Sequence, residues 1–195
     1  MRKVIAAINM TIDGIFDHTA VDPDAEIHQH YTDLLNEAGA ILYGRVTYDL
    51  MKFWQPIAKK PSGEKAMDDF ALAMDKVPKV VFSRTLEAAD LEWDSARLSL
   101  QSIEKEVTDL KNQPGKDIFV GSRSLIIQLM SLNLLDEIQL CIHPIIAGSG
   151  LPLFENLKKR GELRLKKTKT FSNGAVIHYY TPERWVEPDG TATEQ

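Results

Sequence analysis

The sequence predicts an α/β protein whose central sheet is parallel over most of its width and antiparallel at its C-terminal end. Two observations carry this prediction. Over the first two-thirds of the chain, short apolar runs alternate with segments of helical period, the pattern of strand–helix–strand units. In the last third the helical pattern stops, and two runs flank Ser172-Asn173-Gly174, whose Asn-Gly pair suits a tight hairpin.

Taken in order, Lys3 to Asn9 is apolar and uninterrupted, as expected of a strand buried on both faces. Met10 to Val21 reads as a loop that turns at Asp13-Gly14. Asp22 is placed to cap a helix, Pro23 suits its first position, and Asp24 and Glu26 suit its positive first turn. Ile27, Tyr31, Leu34 and Leu35 form its apolar stripe, and Gly39 its stop. Ala40 to Tyr43 is a second buried strand, followed at Gly44-Arg45 by a helix through Val46, Leu50 and Met51. After Pro61-Ser62-Gly63 the helical period returns at Ala66, Met67, Phe70, Ala71 and Met74. Lys79 to Phe82 is a third strand, Ile103, Val107 and Leu110 mark a helix closed by Pro114-Gly115, and Ile118 to Val120 is a further strand. Leu125, Ile126, Leu129 and Met130 mark the next helix. Ile138, Leu140 and Ile142 then alternate with less apolar residues, and Leu163 to Phe171 and Ala175 to Tyr180 form the hairpin. Trp185 to Gln195 predicts a loose tail, so one domain is expected over residues 1–182 with 183–195 trailing it.

Composition narrows the function. A chain of 195 residues with 44% hydrophobic and 26% charged residues suits one globular domain. The net charge of -5 argues against binding nucleic acid through its phosphates. The single cysteine, Cys141, forms no internal disulfide or thiolate metal cage. The apolar run after Arg2 and Lys3 is too short for a leader, and nothing approaches the roughly 20 apolar residues of a membrane span. A cytoplasmic protein with no membrane partner is expected. His28 and His30 are two apart and point to different sides of a helix, His143 and His178 fall in strands, and no metal motif is present, so no metal is expected. Ser83, Ser124 and Ser149 lack the G-x-S-x-G setting of a hydrolase nucleophile.

Three predicted strand ends share one chemistry. Gly44-Arg45-Val46-Thr47, Ser83-Arg84-Thr85 and Gly121-Ser122-Arg123-Ser124 each place glycine or hydroxyl residues beside an arginine where a helix or turn begins. Each alone reads as a helix cap beside a solvated arginine. Parallel strands bring their carboxyl ends to one edge, where free helix-start amides, guanidinium groups and hydroxyls would together suit a ligand with several phosphates. The usual G-x-G-x-x-G fingerprint is absent after the first strand, and Gly148-Ser149-Gly150 reads as a turn.

These corners also carry a resemblance. Gly44-Arg45-Val46-Thr47-Tyr48 with Asp49 is similar to the G-R-x-T-(Y/W)-(E/D) signature of the dihydrofolate reductase superfamily. Met10 to Gly14 is similar to the S-x-D-G turn of riboflavin-pathway reductases. Ser83-Arg84-Thr85-Leu86, Val120-Gly121-Ser122 through Leu125 with Leu134-Leu135-Asp136-Glu137, and His143 through Gly150 to Phe154 follow in the family's order. Over residues 1–182 the chain thus resembles the dihydrofolate reductase and riboflavin-pathway reductase superfamily, and within it the stand-alone bacterial proteins.

The resemblance implies a three-layer α/β/α fold with about eight strands and NADPH laid across the strand ends. Gly44, Arg45 and Thr47 would serve the pyrophosphate; Ser83, Arg84 and Thr85 the 2′-phosphate; Gly121, Ser122, Arg123, Ser124 and Leu125 a second phosphate loop. Ala7 and Ile15 would offer backbone groups to the nicotinamide. Asp13 would bind or polarise the substrate, Tyr48 and Trp54 would flank its ring, and Pro144, Ile145 and Ile146 would close the pocket. The implied reaction is hydride transfer from NADPH to a small heterocycle, as in the aminouracil reductase of riboflavin synthesis or in dihydrofolate reductase. The alternative is a non-catalytic NADP(H)-binding or sensing protein, because no residue is an unambiguous proton donor. Two departures weigh against folate as substrate: Gly121-Ser122 replaces a Gly-Gly pair, and neither Asp24 nor Glu26 aligns with the pterin-binding acid. Relatives of this kind pair through their C-terminal strands, and Ile138, Leu140, Ile142, Val176, Ile177, Tyr179 and Tyr180 suggest an apolar face for a homodimer.

Overall fold

In a computed structural model, which describes residues 1–155, 157 and 160–186, successive residues of each central strand enter two different cores. On strand β1 (Val4–Thr11), Val4, Ala6, Ile8 and Met10 face one core, while Ile5 and Ala7 face the other. Strands β2 (Ala40–Gly44), β3 (Lys79–Phe82) and β5 (Ile118–Val120) alternate in the same way through Leu42, Val80, Ile118 and Val120 against Ile41, Tyr43, Val81 and Phe119. A period of two in an apolar strand requires cover on both faces. Helices α5 (Ile103–Asn112) and α6 (Arg123–Ser131) cover the first face through Val107, Leu110, Ile126 and Leu129. Helices α1 (Ala25–Asn36), α2 (Arg45–Met51) and α4 (Lys65–Lys76) cover the second through Leu35, Tyr48 and Met74. The three layers expected from the resemblance are therefore present.

The sheet is completed by β4 (Ala96–Leu98), β6 (Glu137–His143), β7 (Arg160–Thr170) and β8 (Val176–Val186), in the order β4-β3-β2-β5-β1-β6-β8-β7. All pairs from β4 to β6 are parallel, and β8 is antiparallel to both β6 and β7. The carboxyl ends of β4, β3, β2 and β5 thus lie side by side.

Several local expectations change in three dimensions. The cap of α1 is Asp24, whose carboxylate accepts the Ile27 N–H at 3.0 Å, so Pro23 lies outside the helix. Glu26 accepts from the Ser172 hydroxyl and N–H at 2.7 and 2.9 Å, docking the hairpin turn on α1. The chain after β2 breaks at Phe53 and resumes as α3 (Trp54–Lys59). Val46 and Leu50 face outward, and Tyr48 is the buried residue of α2. Strand β4 was not predicted. Strand β8 runs past residue 182 to Val186, so Trp185 belongs to the sheet, while the rest of the expected tail lies outside the described residues. Ile138, Leu140, Ile177 and Tyr179, which suggested an apolar pairing face, are covered within the single chain.

Lys79 shows how the edge of the sheet accepts a buried cation. Its ammonium donates to Val77 O at 3.0 Å and Ser95 Oγ at 2.8 Å and lies 4.6 Å from the Trp93 ring centroid. Burial still disfavours its charge and lowers its pKa to about 8.

Candidate functional site

A cleft of about 520 Å³ opens at the carboxyl ends of β2, β3, β4 and β5. It brings together Gly44, Arg45 and Thr47 after β2, Ser83 and Arg84 after β3, and Ser124 and Leu125 after β5. The polarity of the wall comes from two helix starts. Gly44 precedes α2 and Ser122 precedes α6, and neither helix has a side-chain cap on its first amides. Uncapped amides carry the positive end of the helix dipole toward an anion. Gly44 lies beside both hydroxyls of the β5 corner: a Cβ there would stand in ordinary contact with Ser124 Oγ at 3.4 Å and Ser122 Oγ at 3.8 Å.

The guanidinium groups differ. Arg45 is exposed and reaches Asp49 at 3.4 Å, a surface pair of little strength. Arg84 is exposed, and among the described residues it meets no carboxylate. Its backbone is held in place, because the Ser83 hydroxyl accepts from Thr85 N at 3.1 Å and Leu86 N at 3.0 Å. Thr85 is exposed outside the cleft wall.

Other predicted residues support the site from behind. Ser122 is buried, and its hydroxyl accepts the Gly44 N–H at 2.9 Å, joining the β2 and β5 corners instead of capping α6. Arg123 turns away: its Nε donates to Pro152 O at 2.7 Å and Leu153 O at 3.1 Å, leaving it fixed to the segment after β6. Gly121 lies where a Cβ would come 3.6 Å from the Ala7 carbonyl, at the close passage of β5 past β1. The Ile15 N–H is used internally on Thr11 Oγ1, so it is not available to a nicotinamide amide, while its carbonyl accepts the Thr11 N–H and keeps a second lone pair.

The expected substrate side also needs correction. Tyr48 is fully buried, packs edge-on against Trp93 and accepts the Glu92 N–H at 2.9 Å; it is a core residue and flanks no ligand. Trp54 is half-buried in a cluster with His28, Phe53 and Phe70. Pro144, Ile145 and Ile146 are exposed. Neither Trp54 nor these three residues line the cleft.

Asp13 acts as a tether. Its carboxylate accepts from the Thr11 hydroxyl, Gly148 N at 2.7 Å and Ala147 N at 3.1 Å, tying the turn after β1 to the loop after β6. These bonds, led by that of Thr11, favour the anion and hold its pKa at about 2, so it is no proton donor near neutrality. Because the folded pKa lies below the ordinary 3.8, this contribution to stability is present above 3.8 and lost as the pH falls toward 2. We therefore expect Asp13→Asn to flatten the fall in melting temperature between those two pH values; an unchanged acid slope would refute the tether.

Sequence reasoning missed one wall of the cleft, formed by Ser99, Gln101, Ser102 and Ile103 between β4 and α5. Ser102 caps α5 by accepting the Lys105 N–H at 3.3 Å, and a serine just before the period of Ile103, Val107 and Leu110 was the available signal.

This sheet order, with an open cleft over its parallel ends, defines a dihydrofolate-reductase-like α/β fold. The RibD C-terminal domain model matches residues 2–177, and the chain belongs to that family. It is 38% identical over 187 residues to the uncharacterized protein YyaP of Bacillus subtilis, covering 92% of this chain and 94% of the relative. Identity to the uncharacterized protein YwjB of the same organism is 26%, covering 91% and 97%. Among solved structures, a putative riboflavin biosynthesis protein from Shewanella sp. PV-4 superposes with a TM-score of 0.70 at 17% identity, covering 94% of this chain and all (100%) of that one. A pyrimidine reductase-like protein from Corynebacterium diphtheriae gives 0.63 at 16%, covering 94% and 92%. A diaminohydroxyphosphoribosylaminopyrimidine deaminase/5-amino-6-(5-phosphoribosylamino)uracil reductase from Thermotoga maritima gives 0.62 at 15%, and this chain spans 56% of that larger protein. At these identities the superpositions show the fold alone.

Proposed function

We propose that the protein is an NADPH-dependent reductase of a small heterocycle. The observation that carries this reading is the cleft itself: two uncapped helix starts, the Arg45 and Arg84 guanidinium groups and the Ser83, Thr47 and Ser124 hydroxyls converge on one space. That donor set matches a pyrophosphate and a further phosphate on one ligand. Gly44, Arg45, Thr47 and Ser124 would hold the pyrophosphate, and Arg84 with Ser83 the 2′-phosphate. Bound there, NADPH would supply a hydride; the protein's own part is to position the reactants and exclude water.

NADPH added to the purified protein should quench intrinsic fluorescence and raise the melting temperature. Absence of both effects at millimolar NADPH would defeat the proposal.

The commitment of Asp13 to the turn supports a second reading, in which the same cleft binds NADP(H) without turnover. NADPH oxidation with pterins, ribosylaminopyrimidines and quinones separates the two. Turnover of any of them removes the sensing reading.

A further inference from the structure

The amino ends of the parallel strands carry a second cavity, at the opposite edge of the sheet from the cleft over their carboxyl ends. It has a volume of about 350 Å³ and opens where β2, β3 and β4 begin, beside Gly39, Lys79 and Ser95. Small-molecule sites span about 300–1,000 Å³. Its wall also holds Arg2, Asp94 and Arg97. In a chain whose net charge is -5, three cations thus meet one carboxylate on this wall.

Two of the three cations are buried without a counter-charge. Arg2, just before β1, is only 7% exposed. Its Nε donates to the Lys116 carbonyl, but neither Nη atom has a partner among the described residues. Nη2 is sealed from solvent, and Nη1 is not. Asp117 attracts the guanidinium from beyond ion-pair distance, and its Oδ1 accepts the Lys3 N–H at 2.8 Å. Burial outweighs that attraction and lowers the Arg2 pKa. Holding the Lys116 carbonyl needs one donor, which Nε supplies, so the two Nη groups do nothing for that contact. Lys79 is wholly buried, and its ammonium donates to Asp75 O, Val77 O and Ser95 Oγ, none of them an anion. Arg97 differs, because the Glu106 carboxylate already pairs with it. The unbalanced charge at this cavity is therefore that of Arg2 and Lys79, opposed by the exposed Asp94. A buried cation without a counter-charge is strongly disfavoured, and a bound anion relieves it.

We infer that this cavity binds a phosphate group, free or on a small monoester, which the Arg2 guanidinium contacts through Nη1 while the Lys79 ammonium attracts it through space. A guanidinium presents its donors in one plane, a geometry that suits two phosphate oxygens. Asp94 on the wall holds the affinity down. The site shares no residue with the cofactor cleft and does not rest on the reductase reading.

Phosphorus NMR at constant ionic strength tests this in the full-length protein carrying Arg45→Ala and Arg84→Ala, which removes both guanidinium groups that line the cleft. Inorganic phosphate and glycerol 3-phosphate are the probes. At least one should bind saturably, with a Kd on the order of 10 mM or tighter, the strength of one or two charge-assisted hydrogen bonds. Tighter binding of the ester would assign the site to a monoester, and equal or tighter binding of inorganic phosphate would assign it to the free ion. Adding Arg2→Gln should weaken binding at least about tenfold. Adding Asp94→Asn, a change at an exposed position, should tighten it by about two- to fivefold. The second variant decides alone if the first does not fold. Absence of saturable binding for both probes, an affinity unchanged by Arg2→Gln, or no gain from Asp94→Asn would overturn the inference.

Discussion

Arg84→Ala is expected to weaken NADPH binding by roughly ten- to a hundredfold while leaving NADH binding within about twofold, the range expected for deleting one charge-assisted hydrogen bond to phosphate. Arg84 is the cleft's exposed guanidinium without a carboxylate partner among the described residues, so its removal breaks no internal ion pair. The Ser83 hydroxyl fixes the turn on which it stands by accepting two backbone N–H groups, and those bonds survive the substitution. The variant should keep the wild-type melting temperature. The two dinucleotides differ only in the 2′-phosphate, so the ratio of their affinities isolates that group's interaction with Arg84. Salt should erode the wild-type preference for NADPH, because the pairing is exposed and its charges are screened. Isothermal titration with both cofactors measures the effect; equal losses for NADPH and NADH would move the 2′-phosphate elsewhere.

Gly39→Ala should destabilise the fold by about 2–4 kcal/mol, as overpacking against rigid backbone does. The reason is a close approach. An added Cβ would lie 2.6 Å from the Lys116 carbonyl oxygen and 2.7 Å from Arg2 Nη2. The Gly39 N–H is bound to Asp117 O at 2.8 Å, which holds the two segments together just before β2 and β5 pair. Arg2 is itself buried, with its Nε on the same Lys116 carbonyl, so it has little room to withdraw. Urea unfolding measures the loss, and a change under about 0.5 kcal/mol would show that the junction yields. Glycine was expected here as a helix stop, but α1 ends at Asn36 with Glu37 as its C-cap. The constraint comes from the neighbouring segment, 77 residues downstream at Lys116.

The same distinction separates what was legible from what was not. The apolar runs at Lys79 to Phe82 and Ile118 to Val120 are strands at those bounds, and Asn173-Gly174 turns the hairpin. Each depends on short-range terms, namely the period of the side chains and the turn preference of glycine, whose φ at Gly174 is +86°. Strand β4 escaped because Ala96-Arg97-Leu98 is no apolar run: an exposed arginine stands at its centre, as suits a strand at the sheet edge. Its Arg97 meets the buried Glu106 carboxylate of α5, a partner that no local pattern announces.

For the candidate site, the sequence by itself determined which residues stand at strand ends, and hence that glycine, hydroxyl and guanidinium groups are available there. The tertiary structure alone decided which of them share a space. It placed Arg84 and Ser124 on one cleft, turned Arg123 onto Pro152, used Ser122 to hold Gly44, sealed Tyr48 in the core and bound Asp13 to Gly148. The physical reason is that a polar side chain bonds to whichever donor or acceptor the fold brings within about 3 Å, and that partner lies far along the chain.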